Sequence, residues 1–81
     1  LNYGDAIEAY RQAYLVDTYN AEVKQKLATQ YNARGLDYVS WEKYKLAALD
    51  FKEALRLFPG NAEYQANYNR YSAWDTTNDE E

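Results

Sequence analysis

The sequence predicts an all-α protein of four helices. Three observations lead there. Apolar residues recur at helical spacing in four separate stretches. Short breaks at Thr18-Tyr19-Asn20, Gly35-Leu36-Asp37 and Pro59-Gly60-Asn61 divide those stretches. The segment AIEAYRQAYLVDTYNAE, Ala6 to Glu22, also returns as AALDFKEALRLFPGNAE, Ala47 to Glu63, with Ala6, Tyr10, Ala13 and Asn20 each answered 41 residues later.

The first helix is expected over about 3–17. Ala6, Tyr10, Ala13 and Tyr14 form its apolar stripe, with Ile7 and Val16 beside it. Asp5 suits a helix start, where the backbone dipole favours negative charge. The second helix is expected over about 20–34. Asn20 can cap it with its side-chain oxygen, Val23, Leu27 and Tyr31 repeat every four residues, and Gly35 suits a left-handed terminating position.

The third helix is expected to be the longest, about 38–58. Trp41, Ala48 and Leu55, then Tyr44, Phe51 and Phe58, then Ala47 and Ala54, recur by sevens. Asp50, Glu53, Lys52 and Arg56 read as solvated charges along its side. Pro59 stops it, and Asn61 caps a fourth helix over about 61–74 with a Tyr64, Tyr68, Tyr71 stripe. Residues 1–74 are thus one helical domain. Residues 75–81 carry Asp75, Asp79, Glu80 and Glu81 without one apolar side chain, as a disordered tail or linker does.

Composition narrows the function. The chain has 81 residues, a formal charge of −4, 13 acidic and 9 basic residues. Setting aside the four acids of the tail leaves a neutral body, which argues against nucleic acid or an anionic membrane as partner. No apolar run approaches the roughly 18 residues of a membrane span, so no membrane insertion is expected. Cysteine and histidine are both absent, which removes thiolate metal sites, disulfides and the commonest general base. The three glycines are isolated, so there is no phosphate-cradling loop. No enzyme activity, cofactor or metal is expected. The chain starts at Leu1 and lacks methionine, and is read as a segment of a longer protein.

On Leu27, Ala28, Tyr31 and Gly35, followed by Ala47, Phe51, Ala54 and Pro59, the chain resembles the tetratricopeptide repeat family. Ala6, Tyr10 and Ala13 match the same pattern one repeat earlier, and the resemblance runs from Ala6 to about Tyr71. It implies antiparallel helical hairpins stacked in a right-handed array. The family repeat is 34 residues, so a spacing of 41 implies an insertion of seven, about two helical turns. The alignment places it within Leu36 to Leu46, which predicts a third helix extended at its N-terminal end, with a longer loop as the alternative. Thr18 stands where the family usually has proline. Tyr68 and Asn69 replace Leu27 and Ala28, which suits a terminal capping helix.

The resemblance also implies a function: a protein or peptide bound in a concave groove lined by the second and fourth helices. The groove candidates are Gln25, Lys26, Thr29, Asn32, Asn67 and Arg70, whose amide and cationic groups could hold a backbone or carboxylate. The paired Lys and Asn of the family's carboxylate clamp are missing, since Gln25 and Thr29 occupy their places. Trp41 and Tyr44 form a second candidate, an aromatic patch, unless Leu36, Tyr38 and Val39 fold over them. The alternative function is a structural or oligomerising segment of a larger multidomain protein, with self-association through the uncovered first helix.

Overall fold

The computed structural model describes residues 3–75, which form four helices: α1 (Tyr3–Val16), α2 (Ala21–Ser40), α3 (Tyr44–Leu57) and α4 (Ala62–Asp75). The acidic tail expected after residue 74 lies outside the described residues, apart from Asp75. That residue is the last of α4, not part of a tail.

The 41-residue offset carries α1 onto α3 end for end, both being 14 residues long, and carries the start of α2 onto the start of α4. The length that sequence reading gave to the third helix belongs to the second. α2 has 20 residues, while α3 starts only at Tyr44. Two features misled. Gly35 is an interior helical residue, and Asp37 and Ser40, both N-cap types, sit in the last turn of α2, where the Ser40 hydroxyl donates to the Asp37 carbonyl at 2.7 Å. The true start of α3 has Lys43 at the cap and no side-chain cap bond, so it carries no sequence signal. By contrast Asn20 and Asn61 accept from the Val23 and Tyr64 N–H groups at 3.1 and 3.0 Å.

α2 ends in a Schellman arrangement seven residues beyond Gly35. The Lys43 N–H bonds the Tyr38 carbonyl at 2.8 Å and the Glu42 N–H bonds that of Val39 at 2.9 Å. Glu42 takes φ 60 to do so, a conformation that crowds any Cβ. Glu42→Gly is therefore expected to raise stability by about 1 kcal/mol, read as a higher urea midpoint at unchanged slope; a lower midpoint would contradict the strain at this turn.

The helices pack in chain order as antiparallel neighbours, with the core around α2. Ile7 from α1, Leu27, Ala28 and Tyr31 from α2, Ala54 and Leu57 from α3, and Tyr64 from α4 make one buried cluster. The face of α1 that meets it is Tyr3, Ile7, Tyr10 and Tyr14, spaced four, three and four. The expected stripe was displaced: Ala13 is exposed, and so is Val16 at 88%. The hydroxyl of Tyr3 meets Asp37, whose hydrogen bond raises its pKa, and so the start of α1 lies beside the end of α2.

Two contacts lock α2 to α3. Phe51 is fully buried, and a Cβ added at Gly35 would stand 2.6 Å from its ring. Asp50, expected to be solvated, is only 4% exposed and accepts both arms of the Arg34 guanidinium, at 2.7 and 2.8 Å. The guanidinium lies between the rings of Tyr31 and Tyr38, 5.9 and 5.7 Å from their centroids. Burial pushes the Asp50 carboxyl above its ordinary range, and the Arg34 fork opposes that.

α4 closes over α3 with aromatic rings. Tyr71 stacks on Tyr44 at 5.6 Å and on Phe51 at 5.9 Å, while Trp74 tilts against Tyr44 at 4.9 Å. A carboxylate at the C-terminal end of a helix opposes its dipole. Asp75 sits there because the Tyr68 hydroxyl donates to it at 2.7 Å and Lys52 approaches to 3.1 Å. These partners, the Tyr68 hydrogen bond first, hold its carboxyl below the usual carboxylate range.

Candidate surface between the helices

The six groove candidates divide three ways. Gln25, Lys26 and Thr29 are exposed on α2 and line an open depression of about 320 Å³ together with Tyr10, Glu22 and Gln30. Glu22 and Lys26 stand one helical turn apart and approach to 3.6 Å, which keeps a carboxylate and an ammonium at the rim. Sequence reading passed over Tyr10, Glu22 and Gln30. The signal available was spacing, since Glu22 and Gln30 flank Lys26 at four residues on either side and share its face.

Asn32 and Asn67 are not open groove residues. Asn32 is buried, donates its amide to Glu63 at 3.1 Å and accepts from the amide of Asn67 at 2.9 Å. One carboxamide thus bridges α2 to α4 with both its functions satisfied, as a buried amide requires. Glu63 supplies the carboxylate because it lies in the first turn of α4, where the dipole favours it. Arg70 is exposed on α4 and stands where Thr29 stands on α2, by the same 41-residue offset.

The aromatic patch does not form as one unit. Trp41 is 58% exposed in the turn after α2, in a T-shaped contact with Tyr38 at 6.1 Å. Tyr44 is half-buried among Tyr71 and Trp74. The two rings part because the chain turns between them at Glu42, where sequence reading had placed a continuous helix.

On the opposite side of α2 a smaller cavity of about 150 Å³ is lined by Arg11, Tyr14 and Leu15 of α1, Leu27 and Tyr31 of α2, and Arg56 of α3. The Arg56 guanidinium is held by Glu53 at 2.7 Å, one turn away on α3.

The depression offers hydrogen-bond donors and acceptors, one charge of each sign and an aromatic ring. Those groups suit a peptide backbone or polar side chains. Among the described residues no cluster of three or more His, Cys, Asp or Glu is placed to hold a metal ion, and no helix is long and apolar enough to cross a membrane. No protein-family model, curated protein or solved structure matches the chain.

Proposed function

We propose that this chain is a protein-interaction module, a tetratricopeptide-type array of helical hairpins that holds a protein or peptide on the face shared by α2 and α4. The reading rests most on the exposed polar side chains of Gln25, Lys26 and Thr29 on α2, which line an open depression together with Tyr10 of α1. Three further features support it. The helix pair recurs at a constant offset. α1 and α3 meet, together with α2, around one small cavity. Asn32 bridges α2 to α4, a contact that suits neighbouring first helices of a hairpin array. Within the groove Lys26 and Arg70 serve acceptors of the partner, and Gln25 and Thr29 serve its backbone.

The test begins with peptides selected from a random-sequence display library on the immobilised chain. Lys26→Ala combined with Arg70→Ala should weaken the selected peptides about tenfold or more, the loss of one or two charge-assisted hydrogen bonds. Both residues are exposed, so the melting temperature should stay within a few degrees of the parent. Peptides that bind equally well to the double variant would contradict the groove.

A further inference from the structure

The smaller cavity brings two arginines from different helices to a buried phenol. Helical spacing builds it. Arg11 and Leu15 stand four residues apart on α1, and Leu27 and Tyr31 four apart on α2, so each pair shares a face. Leu27 and Tyr31, 2% and 8% exposed, make the floor, while Arg11, Leu15 and Arg56 are exposed and make the rim. The volume of about 150 Å³ is well below the roughly 300–1,000 Å³ of sites for drug-sized ligands, so an occupant must be small.

The donors around this space exceed what the fold uses. Arg11 gives Nη1 to Glu8 at 2.9 Å, and Arg56 gives Nε and Nη2 to a single Glu53 oxygen at 3.0 and 2.7 Å. A guanidinium has five N–H groups, so both arginines keep donors to spare. The Tyr31 hydroxyl makes no hydrogen bond among the described residues, although the side chain is more than nine-tenths buried. Every fully enclosed side-chain polar atom among those residues does have a partner, so this hydroxyl opens on the cavity that Tyr31 lines. Arg11 and Arg56 both lie within electrostatic reach of it. A hydroxyl in so buried a setting calls for a partner.

We infer that this cavity binds a carboxylate, that of a small acid or of an acidic side chain, with its oxygens shared among Arg11, Arg56 and the Tyr31 hydroxyl and its carbon stem laid on Leu15 and Leu27. The charge balance selects a carboxylate among anions. Glu8 and Glu53 each answer one of the two positive charges, so the rim is near neutral and takes a single negative charge through its spare donors. A phosphate group brings about 1.5–2 negative charges. It also has no apolar stem to cover the two leucines. The inference uses other residues than the groove and stands independently of the interaction-module reading.

The experiment is a titration of the ¹⁵N-labelled full chain with sodium propionate at constant ionic strength, followed at the backbone and arginine Nε–H signals. Saturable shifts are expected at Arg11, Tyr14, Leu27, Tyr31 and Arg56, with a dissociation constant in the millimolar range, the scale for a ligand of about five heavy atoms. Arg11→Gln and Arg56→Gln keep an exposed polar side chain and should each weaken propionate about tenfold. Tyr31→Phe removes only the hydroxyl, and should weaken propionate about fivefold while leaving the melting temperature unchanged. Lys26→Ala, on the other side of α2, should leave the affinity as it is. A capped glutamate, N-acetyl and N-methylamide, identifies the source of the carboxylate: tighter binding than propionate assigns an acidic side chain and weaker binding a free acid, and either result keeps the site. No saturable shift up to about 0.1 M propionate would overturn the inference. Equal affinity in the parent and the two arginine variants, or inorganic phosphate bound more tightly than propionate, would overturn it as well. A melting temperature of Tyr31→Phe well below the parent would show that the hydroxyl serves the fold and would overturn it likewise.

Discussion

Arg34→Ala should cost about 3–5 kcal/mol, because it strands a buried carboxylate. That is a large share of the roughly 5–15 kcal/mol that holds a small domain together. The side chain of Asp50 is only 6% exposed, and Arg34 supplies both of its hydrogen bonds from α2. Burial already pushes the Asp50 carboxyl up. A carboxyl whose folded pKa is raised weighs against the fold once pH climbs through that pKa, so the variant should recover stability as pH falls below the ordinary carboxylate range. Arg34→Met with Asp50→Leu should come back close to the parent, since an apolar pair has no desolvation cost to offset. Urea denaturation of Arg34→Ala and of the double variant, repeated at acid and neutral pH, measures all of this. Equal losses in the single and double variants would mean that no stranded charge is at work.

Phe51→Ala should be comparably severe, about 3–5 kcal/mol for a fully buried aromatic side chain. Phe51 has no exposed surface, fills the space over Gly35 and stacks on Tyr71. Gly35 makes the sharper test. In an open helix, glycine to alanine stabilises by roughly 1 kcal/mol. Here the added methyl would stand 2.6 Å from the Phe51 ring, so overpacking costs about 1–3 kcal/mol and should reverse that gain. Gly35→Ala should therefore destabilise the parent and stabilise a Phe51→Leu background. Stabilisation in both backgrounds would mean that Gly35 is not held by Phe51.

Gly35 also shows where the sequence could be read and where it could not. Helix number was legible because four apolar periodicities were separated by strong caps at Asn20 and Asn61, and both caps form. The middle boundary was illegible for a physical reason. Glycine ends helices by conformation and also sits inside them for close approach, and only the position of Phe51 tells which. The turn that does end α2 uses Glu42 in a glycine-like conformation, and the helix that follows has no cap bond. Asp50 was misread because its partner, Arg34, lies 16 residues away on another helix. Charge patterning along one helix cannot see such a pair. Asn32 went the same way: its two partners are 31 and 35 residues distant. Gln25, Lys26 and Thr29 depend only on their own helix for their setting, and they are exposed on α2.

α1 and α3 are equal in length and similar in pattern, but they lie in different surroundings. Native-state hydrogen exchange measures the difference directly, because the two segments match residue for residue in length. The amides from Ala47 to Leu57 should exchange only through global unfolding, with the full stability of the domain, since α2 and α4 enclose that helix. Those from Ala6 to Val16 should exchange through a local opening at lower free energy, because Ala9, Ala13 and Val16 face solvent. Equal protection of the two helices in the isolated chain would contradict that difference in surroundings.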